Sequence, residues 1–239
     1  MRQINPLAAQ GVAVREFPTS SGPVDYALFV GGKLAGIVEA KKSEAGEHIT
    51  TVEEQSVRYA GSSFKWVTGD YRIRFAYEAT DKLTRFTDYD DIKYRSRTVF
   101  SFHRPEKLSS LLASPDTIRN NMKRFPPLDY AGFRECQVRA IENLDASLAE
   151  NRPKALIQMA TGAGKTFTAI TAAYRMLKYG KMNRILFLVD TRSLGEQAER
   201  EFFAYTPNDD LRSFSQIYGV QRLKSSFISS DVQICVSTV

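Results

Sequence analysis

Apolar positions along the first half of the chain alternate; along the second half they fall at helical spacing. Val24, Tyr26, Leu28 and Val30 take every second position, Gly31 and Gly32 interrupt, and alternation resumes over 34–41. This is a β-hairpin pattern. Thr50 and Thr51 each precede a glutamate by three residues, Glu53 and Glu54, a capping pattern that predicts a helix to about Ala60. Residues 64–68 and 71–77 read as two more strands around a turn at Gly69 and Asp70. Between 105 and 130, Pro105, Pro115, Pro126 and Pro127 punctuate short polar helices, which predicts a connection. Beyond Phe133 the expected order is a helix over 134–150, an apolar strand over 155–159, a glycine-containing loop, and a helix over 165–179. That last helix carries Phe167, Ile170, Ala173, Tyr174 and Leu177 on one face, with Gly180 after its end. A strand over 185–189, a helix capped by Ser193 with Glu196, and a strand over 232–236 follow. Strands alternating with helices predict a parallel sheet. The expected fold class is α/β: a mixed-sheet domain over 1–104, a linker with short helices over 105–130, and a parallel-sheet domain over 131–239.

Composition narrows the classes. With 43% hydrophobic and 25% charged residues the chain is globular rather than disordered or fibrous. No apolar run approaches the ~20 residues of a membrane helix, and the first residues do not form a signal peptide, so a cytoplasmic protein is expected. Cys136 and Cys235 then read as reduced thiols, and their separation excludes a zinc knuckle. Lys and Arg exceed Asp and Glu by 33 to 27, a net charge of +6 that permits a nucleic-acid partner. The small basic clusters, Lys93, Arg95, Arg97 and Arg104, then Arg119, Lys123 and Arg124, read as solvated surface.

Chemistry concentrates at two places. Ala160, Thr161, Gly162, Ala163, Gly164, Lys165 and Thr166 have the form of a phosphate-binding loop between a strand and a helix. Glycines let backbone N–H groups wrap an anion, and the helix start faces it with unpaired amides. Lys165 can reach the β- and γ-phosphates of ATP, and the Thr166 hydroxyl can ligate Mg²⁺. Met159 stands where the strict pattern has its first glycine. The loop is expected to be preformed by the 155–159 strand packing on the following helix.

The second place is Asp25, then Glu39-Ala40-Lys41. Glu39 and Lys41 share a strand face, and Asp25 lies on the partner strand. Two carboxylates that hold Mg²⁺, with a lysine beside them, are what a metal-dependent nuclease needs. Both acids interrupt apolar strands, where a charge without a role is costly. Gln55 and Tyr59 follow at i, i+4 on the predicted helix. Register decides whether the acids can share an ion. A two-residue turn pairs Val30 with Lys33 and sets Asp25 opposite Val38. A three-residue loop, or a bulge, sets it opposite Glu39.

Together these motifs resemble the restriction (motor and endonuclease) subunit of type I restriction–modification enzymes. The resemblance runs through REFPTSSGPVDYALFV, the EAKK strand, QSVRY, FSFHRPEKL and IQMATGAGKT. It implies a PD-(D/E)xK nuclease followed by a RecA-like superfamily 2 motor, with ATP and Mg²⁺ as cofactors. Its implied partners are double-stranded DNA and the methyltransferase and specificity subunits. Asp25, Glu39 and Lys41 would be the nuclease residues, with Gln55 and Tyr59 as accessory ones. Gln137, in Arg134-x-x-Gln137, would lie near adenine, and Asp190, Leu194 and Gln197 resemble motif Ia. The sequence departs from the pattern at Thr191, where the family often has arginine, and in the helix expected before the first strand, which reads as missing or short. No DExH box or arginine finger occurs by Val239, so the chain is expected to be the front of a longer subunit. Alternatives are a superfamily 2 helicase whose N-terminal domain only binds DNA or partners, and a nucleotide-gated regulatory module.

Overall fold

A computed structural model describes residues 10–41, 63–65, 67 and 72–239. The chain divides into two compact units, 1–117 and 118–239. The predicted helix over 50–60, with Gln55 and Tyr59, lies outside the described residues, as do the Gly69 and Asp70 turn and two of the five residues of the strand predicted over 64–68, whose Phe64 makes only an isolated bridge with Thr19.

Among its described residues the first unit forms a six-stranded mixed sheet with the strands in chain order. These are β1 (Gly11–Thr19), β2 (Gly22–Val30), β3 (Lys33–Ala40), β4 (Phe75–Ala79), β5 (Thr84–Asp88) and β6 (Arg97–Val99). Every neighbour pair is antiparallel except β3 and β4, which run parallel. One apolar cluster gathers Phe17, Phe29, Ile37 and Ala76, and a second gathers Val38, Phe75, Tyr77 and Phe86 with Leu108. Leu108 belongs to α1 (Pro105–Ala113). Thus the first part of the expected linker is a helix on this sheet, and the Arg74 guanidinium ties it down by donating to Leu111 O at 2.7 Å. Arg97, one of the clustered basic residues, pairs with Asp91 at 2.7 Å.

Strand β1 was not foreseen. Its alternation breaks at Arg15 and Glu16, and Glu16 sits at φ 51° between the pairs Arg15↔Tyr26 and Phe17↔Val24. The residue facing Asp25 on this side is therefore out of strand geometry. The strand predicted over 71–77 is displaced to Phe75–Ala79, where β3 supplies the parallel ladder.

Beneath α1, His103 Nδ1 lies 2.6 Å from the Tyr77 hydroxyl. Burial pushes the Tyr77 hydroxyl up to about 12. Burial, then Lys107 and Arg97, hold His103 below its ordinary 6.5. The unfolded chain thus takes up this proton more readily, so stability is full above that value and falls as pH drops through it. Thermal unfolding followed from pH 7 to pH 5 should show the loss, and His103→Gln should flatten it.

The second unit contains α2 (Ile118–Met122), α3 (Glu135–Ala149), α4 (Lys165–Lys178), β7 (Ile185–Val189), α5 (Arg192–Ala204), α6 (Phe214–Ile217), β8 (Gly219–Arg222) and β9 (Val232–Thr238). Its sheet is parallel, in the order β7-β9-β8. Ile170, Ala173, Tyr174 and Leu177 form the buried stripe of α4, packed with Phe202, Phe214, Ile234 and Val236. Arg175 joins α4 to α3 through Asp145 at 2.9 Å, and donates to Pro126 O at 2.7 Å, so the second part of the expected linker is held in this unit. The cap of α5 is Thr191, which accepts from Leu194 N–H, rather than Ser193.

The strand expected over 155–159 does not form. No ladder reaches these residues, and Leu156 is 95% exposed. An apolar run becomes a strand only where a neighbour takes its backbone groups, and none among the described residues does. Packing of that strand on α4 therefore does not shape the phosphate loop.

Candidate functional site

The hairpin satisfies both register readings at once. Gly31 and Gly32 have φ of 54° and 75°, a type I′ turn, and Val30 pairs with Lys33. That alone would misplace Asp25. Between Leu28 and Phe29 the register shifts, from Phe29↔Leu34 to Leu28↔Gly36, leaving Ala35 as the extra residue of a bulge. Tyr26 then pairs with Val38, the last rung of the ladder, and continuing the same register sets Asp25 against Glu39. Asp25 Oδ2 accepts the Ala40 N–H at 2.7 Å, a donor that continued pairing would have given to a β2 carbonyl.

Glu39 is 6% exposed, and its Oε1 has no hydrogen-bond partner. Burial raises its pKa first, then the Asp25 charge; Lys41 and the Asp25 backbone N–H pull it down, and Glu78 pushes it up. Lys41 Nζ lies 3.9 Å from Glu39 Oε2, so the two side chains share a strand face. The Lys41 backbone donates to Ala79 O at 2.7 Å, which extends the β3–β4 ladder to this residue. Two neighbouring carboxylates and an orphaned buried oxygen fit a hard divalent cation such as Mg²⁺. Among the described residues no group of three or more His, Cys, Asp or Glu side chains is arranged to hold a metal ion. Asp25 and Glu39 are the described carboxylates that could hold one.

Sequence reading missed Glu78. It pairs with Glu39 in the β3–β4 register and is 4% exposed. The available signal was a third acid inside an apolar strand, FAYEA. Its charge makes Glu39 harder to ionise. Glu78→Gln should therefore move the acid limb of any Glu39-dependent activity to lower pH, a shift that a pH–rate profile reads directly.

At the other site, Gly162 and Gly164 adopt φ of 78° and 83°, and Ala163 N–H donates to Ala160 O at 3.2 Å to close the loop. Thr161 and Gly162 are exposed at its tip, and Lys165 and Thr166 open α4. Lys165 Nζ donates to Ala160 O at 3.1 Å. Gln137 is buried: its Oε1 accepts the Arg134 N–H at 2.9 Å, and its Nε2 donates to Ala163 O at 3.0 Å. Its side chain thus touches the loop. A Cβ on Gly164 would lie 2.2 Å from Gln137 Nε2, besides sitting at a φ that disfavours side chains. Gly164→Ala should weaken nucleotide binding at least ~10-fold, measured by calorimetry.

The mixed sheet carries the paired acids, and the parallel-sheet unit that follows carries the phosphate-loop sequence. Residues 1–102 match the second domain of the type I restriction enzyme EcoKI endonuclease subunit, and residues 131–239 match the type III restriction enzyme res subunit. The EcoKI endonuclease subunit of Escherichia coli K12 is 29% identical over 95% of this chain, which spans 23% of that protein. The EcoAI endonuclease subunit of Escherichia coli is 36% identical over 29% of the chain and 9% of its own length. UvrABC system protein B of Leptospira biflexa is 32% identical over 48% of the chain and 16% of its own length. The chain is similar to type I restriction endonuclease subunits over nearly its whole length. No described helix is long and apolar enough to cross a membrane.

Proposed function

We propose that the chain supplies the DNA-cleaving centre and the nucleotide-binding front of a type I restriction subunit. That subunit would cut double-stranded DNA endonucleolytically with Mg²⁺ and couple cutting to ATP-driven translocation. It would work with methyltransferase and specificity subunits in the cytoplasm. The observation that carries this reading is the β3 bulge, which brings Asp25 against Glu39 with Lys41 beside them.

Asp25 and Glu39 would hold the Mg²⁺. When bound, such an ion makes a water more acidic and stabilises charge on a phosphate. The chain's own residues do the rest. Asp25, braced by the Ala40 N–H, keeps one oxygen fixed. Lys41 carries positive charge on the face of Glu39, placed to stabilise negative charge on a scissile phosphate. Gln55 and Tyr59 would orient DNA or water there. In the second unit, Thr161, Gly162 and Gly164 would offer amides to the phosphates of ATP, while Ala163, its own N–H held by Ala160 O, shapes the loop; Lys165 would add its ammonium and Thr166 its hydroxyl to the nucleotide's Mg²⁺, with Gln137 beside the base.

The test is cleavage of a supercoiled plasmid bearing a target site by the assembled complex. Linear product is expected only with Mg²⁺ and ATP together. DNA-stimulated ATPase without any cutting would favour a helicase whose first domain only binds.

A further inference from the structure

We infer that Arg134 is a positioning residue for the phosphate loop, so that the start of α3 acts on the triphosphate end of a nucleotide. This rests on the phosphate-loop reading and deepens it. Arg134 Nη1 donates to Gly162 O at 2.5 Å, and Gln137 Nε2 donates to the next carbonyl, Ala163 O, at 3.0 Å. The Arg134 backbone N–H in turn fixes Gln137 Oε1 at 2.9 Å. One residue thus holds the loop directly and orients the second holder.

The consequence follows from peptide geometry. In a trans peptide the C=O and the following N–H point in opposite directions. Drawing the Gly162 and Ala163 carbonyls toward α3 turns the Ala163 and Gly164 N–H groups away from it. The Ala163 N–H closes the turn on Ala160 O. The Gly164 N–H is left aligned with the start of α4, where an anion is favoured. The segment before the loop gives no support, since residues 155–159 join no ladder. By contrast α3 is anchored, with Ile141 wholly buried and Asp145 paired to Arg175 at 2.9 Å. Its tip is a fixed point from which two donors can hold consecutive carbonyls. Such an arrangement serves any ligand with a polyphosphate, whatever its base.

The experiment compares binding of inorganic tripolyphosphate and MgATP to the whole chain by calorimetry. Arg134→Ala should weaken both by the same factor, about tenfold, the scale of one charge-assisted hydrogen bond. Arg134→Lys, which keeps a donor, should recover part of the loss. Amide resonances of Ala163 and Gly164 should move in Arg134→Ala and stay in place in Glu135→Ala, a readout that needs no ligand. Unchanged tripolyphosphate affinity beside weakened ATP would overturn the inference and place the arginine on the base. Unmoved loop amides would overturn it as well. Lys165→Ala tests the underlying reading separately: if it keeps full tripolyphosphate affinity, the loop itself is not the anion site.

Discussion

Asp25→Asn is expected to lower Mg²⁺-dependent DNA cleavage by at least ~10³-fold, several kcal/mol of barrier, while DNA-stimulated ATP hydrolysis continues. The substitution is close to isosteric. Asparagine's oxygen can still accept the Ala40 N–H that Asp25 takes at 2.7 Å, so the end of the β2–β3 ladder survives. What is lost is one of the two negative charges that would hold the cation. Removing it also relieves the repulsion that helps to raise Glu39, so the variant should fold at least as stably as the parent. Lys41→Ala should match the loss of cutting through a different route, because it removes a positive charge and leaves both carboxylates. Plasmid cleavage and ATPase assays on the same preparations separate these effects. If both activities fell in a folded Asp25→Asn protein, the two centres would not have separate roles.

Lys165→Ala should abolish ATP turnover, a loss of at least ~10²-fold or about 3 kcal/mol. Here the Lys165 ammonium donates to Ala160 O at 3.1 Å, a neutral acceptor that charged phosphate oxygens would replace at a gain. Removing the ammonium leaves the loop's backbone donors but no mobile charge to follow the γ-phosphate. The loop's shape should persist, since Arg134 and Gln137 hold its carbonyls independently of this side chain. If cutting waits on translocation, plasmid cleavage disappears too, although the nuclease residues are untouched. Measured ATP hydrolysis at the parent rate would remove the phosphate-loop assignment.

The motifs were legible because they break local rules: acids inside apolar strands, glycines before a helix. Their placement was only half legible. The turn at Gly31 and Gly32 could be read from two glycines, and it alone puts Asp25 in the wrong register. The compensating bulge at Ala35 leaves no composition mark, because it is set by how β3 meets β4; the Ala35 carbonyl accepts Arg74 N–H at 3.1 Å. Strand β1 was hidden by Glu16, whose left-handed backbone breaks the alternation. The 155–159 segment misled in the opposite sense: its apolar run has strand composition without a strand partner. Glu78 stayed invisible because its significance lies in a parallel pairing with a residue far back in the chain.

If the bulged hairpin brings Asp25 and Glu39 together around one divalent cation, anomalous diffraction from crystals of the chain soaked in Mn²⁺ will locate it. A single strong peak is expected within coordination distance of carboxylate oxygens from both Asp25 and Glu39, lost in Glu39→Gln crystals grown alongside. A peak elsewhere on the first unit, with none between these carboxylates, would contradict it.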